Sequence, residues 1–171
     1  RERQRFEQRT TEAAGRIRRL PLSAFPQLPV TVRGVLAVRS CSVPQPRSMG
    51  APVSVVSGDF FGSGRTGWAV LCSNGTLSAV LVFRDSNDRE PVTLASSEDR
   101  VWIQFDYSGE PFYAHDIGVS PIATMQERAR RYGITDPARY DHVGVEVGIY
   151  DKASSVWYFD NGKWLQLPGA D

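Results

Sequence analysis

From residue 53 to its end the chain is written as short runs rich in Val, Ile, Phe, Trp and Tyr, each closed off by Gly, Pro, Asn, Asp or Ser. Segments 53–57, 67–72, 77–84, 92–95, 101–106 and 112–119 come first, and 143–150, 154–159 and 163–167 follow. Runs this short, with β-branched and aromatic side chains, favour strands over helices. Asp160-Asn161-Gly162 separates the last two, and Asn-Gly between aromatic-rich runs predicts a tight hairpin. Residues 121–132 interrupt the pattern as a helix, with Ser120 as its N-cap, Pro121 in its first turn and Gly133 past its end. The expected class is α+β: an antiparallel sheet of about six to nine short strands with two or three helices against it.

The region before residue 53 reads differently. Residues 1–20 place Phe6, Ala13, Ile17 and Leu20 on one side of a 3.6-residue period, among Arg, Glu, Gln and Thr. So thin a stripe predicts a basic helical tether over 1–20, peripheral to a single domain over 21–171. A second, short helix is expected through Val30, Val32, Leu36 and Val38, ending before Cys41, with a proline-rich loop over 42–52.

The formal net charge is +1, yet residues 1–20 hold seven Arg against Glu2, Glu7 and Glu12, so the remainder sums to −3. No basic face is visible on the body, which argues against nucleic-acid binding. Nor is there a run of apolar residues long enough to span a membrane.

Cys41 and Cys72 lie 31 residues apart, each where a predicted element enters a loop. Two thiols without C-x-x-C spacing suit neither zinc nor a redox motif. A disulfide is the expected state, and it implies an oxidising compartment, periplasmic or extracellular. Two buried free thiols in a cytosolic protein are the alternative.

Both histidines adjoin an aspartate, as His115-Asp116 and Asp141-His142. If folding brought His115, Asp116, Asp141 and His142 together they could bind a divalent metal and serve a small hydrolase. Neighbours in a strand point to opposite faces, however, so each dipeptide offers one side chain to a given site. Ser63 stands between glycines but lacks the strand–turn–helix setting of a nucleophile, and no phosphate-binding glycine loop leads into a helix. No cofactor is expected. Aromatic residues alternate in two regions, and an outward row of Trp102, Tyr107, Tyr113, Trp157 and Trp164 would make a contact surface for protein or carbohydrate.

The segment Gly58-Asp59-Phe60-Phe61-Gly62-Ser63-Gly64-Arg65-Thr66-Gly67-Trp68-Ala69-Val70 resembles one FG-GAP-type motif. In that family such a segment forms a strand, a glycine-rich calcium-binding turn and a strand within a propeller blade. Phe61, Ser63 and Gly67 stand at the family's Asn or Asp ligand positions, and no second copy recurs at a regular spacing. The resemblance therefore implies the turn without its metal, outside a propeller. Three stretches, 67–73, 152–158 and 162–171, are similar to a group of uncharacterised exported bacterial proteins with a compact β-rich domain. Taken together these readings predict a non-catalytic exported domain that binds a protein partner, as an accessory subunit of a membrane-associated assembly. A carbohydrate-binding module is a further alternative.

Overall fold

The computed structural model describes residues 1–136, 139–150 and 152–170. Its three α-helices are α1 (Glu2–Ala14), α2 (Val30–Val38) and α3 (Ile122–Arg131). The strands are β1 (Arg19–Leu20), β2 (Val43–Pro44), β3 (Val55–Gly58), β4 (Gly67–Ser73), β5 (Leu77–Phe83), β6 (Val92–Glu98), β7 (Ile103–Phe105), β8 (Pro111–Tyr113), β9 (His115–Ser120), β10 (Gly144–Ile149), β11 (Ala153–Asp160) and β12 (Lys163–Pro168). All pair antiparallel, and the class is α+β.

Where one sheet was expected there are two of four strands, in the orders β3-β4-β5-β6 and β12-β11-β10-β9, with the small pairs β1-β2 and β7-β8 beside them. The strand pattern explains the layering. Ala69, Leu71, Val80 and Val82 on one face of the first sheet meet Ile117 and Val145 of the second in a common core. The alternate residues Val70, Cys72, Leu81 and Phe83 point the other way, onto Val32 and Leu36 of α2. Strands buried on both faces lose the apolar–polar alternation, which is why 69–72 and 80–83 read as unbroken apolar runs. The second sheet repeats the arrangement: Val156 and Tyr158 pack outward against Met125 and Ala129 of α3. The order of layers is thus helix, sheet, sheet, helix. β9 runs beside β3, where the Ile117 N–H donates to Ser54 Oγ at 3.3 Å.

Four local expectations are corrected. The helix over 1–20 stops at Ala14, and Arg19 and Leu20 pair with Pro44 and Val43 instead. Thr10, Ala13 and Ile17 are buried, so this segment is docked on the body. The predicted strand 112–119 is two strands: at Ala114 the N–H donates to Trp102 O (2.6 Å) while the carbonyl accepts from Tyr150 N (2.9 Å), and the chain changes partner there. Ser120 does not cap α3. It closes the β9–β10 ladder opposite Gly144, its Oγ is sealed without a partner, and Pro121 holds the N-cap position without a side-chain bond. The hairpin at Asn161-Gly162 forms as expected, with φ of 47° and 78° in the left-handed region that a two-residue type I′ turn requires.

Candidate binding grooves

Cys41, just past α2, and Cys72, on β4, form a disulfide with their Cα atoms 5.1 Å apart. Both are buried among Val32, Leu36 and Leu81, so the bridge ties α2 to the outer face of the first sheet.

The two His–Asp pairs do not converge. His115 opens β9 opposite Ile149, whereas His142 lies two residues before Gly144, which pairs with Ser120 at the far end of the same ladder. At about 3.4 Å per residue the histidines are on the order of 20 Å apart, far outside a shared coordination sphere. Among the described residues no three His, Cys, Asp or Glu side chains gather as metal ligands.

His142 has a packing role. Its ring stacks on Tyr158 at 4.3 Å, and its Nδ1 lies 2.9 Å from both Asp141 Oδ1 and the Tyr158 hydroxyl. The His142 contact first, and then the Tyr158 hydroxyl, which donates to Asp141 Oδ1 at 3.0 Å, hold the exposed Asp141 carboxyl below its ordinary range. Against the His142 ring lies Gly62 of the glycine-rich turn, where a Cβ would approach Nδ1 to 2.8 Å and φ is +66°. Only glycine fits there. The neighbouring Phe61 packs against Phe159 (4.9 Å) and Trp164 (5.3 Å). Both oxygens of Asp59 accept backbone N–H groups, from Ser63 at 3.0 Å and Gly64 at 2.8 Å. The turn is closed by its own aspartate and serves to join the sheets.

Tyr113 and Trp164 leave the predicted outward row for different reasons. Tyr113 is wholly buried because its hydroxyl donates to Asp99 Oδ1 at 2.8 Å inside a polar network. Asp99 also accepts from Arg19 Nη2 at 2.5 Å, and Arg19 Nη1 reaches Ser73 Oγ at 2.7 Å. Burial pushes the Tyr113 phenol far above its usual range. Trp164 is half-buried in the aromatic contact just described. Trp102 and Trp157 are also half-buried, and Tyr107 alone of the five stands fully in solvent.

His115 is 3% exposed and lies face to face with Trp102, ring centroids 4.1 Å apart. Its Nδ1 donates to the Gly148 carbonyl at 3.0 Å, because a carbonyl can only accept. Burial outweighs the opposing pull of that bond and of Asp99, and holds the imidazole below its ordinary range. The unfolded chain therefore takes up a proton near pH 6.5 that the folded chain refuses, so stability falls as pH drops through that value. Urea unfolding at pH 7.5 and pH 5.5 should give a lower midpoint at the acid value, and His115→Phe should flatten the difference. The carboxyls held low, Asp85, Asp106 and Asp141, titrate below this window.

Two surface grooves each gather several aromatic side chains. The larger, 990 Å³, runs between the loop carrying Arg47 and Met49 and the β7–β8 hairpin. Phe105, Tyr107, Phe112 and Tyr150 line it. Arg9 lies over Phe105 at 4.5 Å, and Arg47 lies over Tyr150 at 5.5 Å and bonds its hydroxyl. Lys152 donates to Gln104 at 3.0 Å. The acids nearby are engaged: Glu110 pairs with Arg16, and Asp106 accepts from Ser108 and from the Glu110 N–H to close the hairpin. The smaller groove, 360 Å³, opens between the sheets beside His115, Trp102 and Trp157. Sequence reasoning missed Arg47, Met49 and Tyr150, which carry no local signal and meet only because the loop and hairpin fold onto one another. Comparison with family models, curated proteins and solved structures finds no match.

Proposed function

We propose that this chain is a non-catalytic binding domain of an oxidising, exported compartment, and that it holds a protein partner in the groove between the residue 45–50 loop and the β7–β8 hairpin. The observation that carries the reading is Tyr107, a large aromatic side chain fully exposed at the rim of an aromatic-lined groove. Tyrosine and arginine on a concave surface supply contact area and directed hydrogen bonds at little entropic cost, the profile of an interface anchor. Arg47 and Lys152 on the groove favour an extended, acidic segment of the partner. The disulfide supports export, and the resemblance to exported bacterial proteins points to a periplasmic setting, with the partner belonging to a membrane-associated assembly. No helix among the described residues is long and apolar enough to cross a membrane.

The test is photocrosslinking in living cells, with a benzophenone amino acid at Tyr107 and, as control, at the exposed Lys163 of β12. A discrete heavier adduct from position 107 is expected, absent from position 163 and lost when Arg47 and Lys152 are both changed to Glu. Equal adducts at both positions, or none at 107, would remove the groove from consideration.

A further inference from the structure

The groove between the sheets carries a second, independent reading. It is lined by Ala95 of the first sheet and Val147 of the second, with Trp102 and Trp157. Among the described residues no Asp, Glu, Lys or Arg lines it. A charged ligand would surrender its hydration there without a counter-charge, which is strongly unfavourable.

Three polar groups limit the ligand further. His115 donates through Nδ1 to Gly148, which leaves Nε2 of the neutral ring as an acceptor. Nε2 has no partner among the described residues, and it is not sealed, since the sealed side-chain atoms lacking a partner are Arg33 Nε, Ser120 Oγ and His142 Nε2. A buried imidazole with an open acceptor on a groove is a prepared position for a donor. Gln166 Nε2 donates to Ser155 Oγ at 3.0 Å, so Gln166 keeps its carbonyl as an acceptor and Ser155 keeps its hydroxyl proton to give. The groove thus offers acceptors and a donor together with two indole rings. Groups that both donate and accept, arranged around a ring with an apolar face, are the hydroxyls of a sugar. The volume lies within the range of small-molecule sites, roughly 300–1,000 Å³.

We propose that this groove binds the ring of an uncharged sugar, packed against Trp102 and Trp157, with one hydroxyl donating to His115 Nε2 and others meeting Gln166 and Ser155. The inference does not depend on the hairpin groove, which faces a different set of residues.

The experiment is a two-dimensional NMR titration of the full chain with methyl glycosides of glucose, galactose, mannose and N-acetylglucosamine, read at the indole N–H signals of Trp102 and Trp157. At least one glycoside should move both signals to saturation. His115→Phe keeps a ring but removes the acceptor, and should weaken that binding about tenfold, the effect of one good hydrogen bond. Gln166→Ala alters an exposed side chain, leaves the fold intact and should weaken it several-fold. The proposal is overturned if no glycoside moves both signals, if indole or phenol binds while every sugar fails, or if Gln166→Ala binds as tightly as the parent chain.

Discussion

Replacing Cys41 and Cys72 together by Ser should lower the free energy of unfolding by about 3–4 kcal/mol and the melting temperature by roughly 10 °C. The bridge closes a loop of 31 residues. In the chain-entropy model a closure of that length removes about 12 cal/mol/K from the unfolded ensemble, which gives the free-energy figure at room temperature. The segment so closed contains the whole of β3 and most of β4, with the long proline-rich loop before them. The bridge also anchors α2, which lies just before Cys41. α2 is nine residues long, too short to be stable alone, and its place on the sheet depends on Val32, Leu36 and Cys41. Serine in place of buried sulfur adds a polar group to an apolar site, so Cys41→Ala with Cys72→Ala should lose somewhat less. Calorimetry of the parent, the two double variants and the reduced parent checks the assignment. If the reduced parent melts with the oxidised one, the covalent link contributes nothing.

Much of the secondary structure was legible because it depends on local chemistry. The unbroken apolar runs at 69–72 and 80–83, the Asn161-Gly162 turn and the helix after Pro121 each carry their own signal within a few residues. What escaped depends on partners far along the chain. Arg19 falls inside the helix expected over 1–20, yet it lies on β1 and bonds Asp99, 80 residues later. Tyr113 alternates like an outward residue until Asp99 supplies a buried acceptor for its hydroxyl. His115-Asp116 and Asp141-His142 look alike as dipeptides, and only the β9–β10 register sends them to opposite ends of one ladder. In the glycine-rich turn over 58–67, Phe61 packs onto the second sheet against Phe159 and Trp164, partners about 100 residues away that nothing in the turn itself announces. The grooves were the least legible feature, since a concavity is a property of how elements meet and not of any one of them.

The same non-local network makes the second large prediction. Asp99→Asn should destabilise the fold by about 3 kcal/mol, the lower part of the range for breaking a buried ion pair, because the Arg19 side chain retains 21% exposure and some access to water. The substitution preserves volume and one acceptor oxygen. What it removes is the charge opposite a guanidinium that has no other acid within bonding reach among the described residues. Tyr113→Phe leaves the pair intact and deletes one hydrogen bond, so its cost should be nearer 1 kcal/mol. Combining Arg19→Met with Asp99→Leu removes both charges, and should cost less than Asp99→Leu alone, since neither ion is then stranded. A chemical-denaturation cycle over the four chains measures this coupling directly. If Arg19→Met and Asp99→Leu simply add, the contact between them carries no energy. β1 would then be held to the body by Leu20 and the backbone, and the junction of α1 with the sheets would have to be explained by packing.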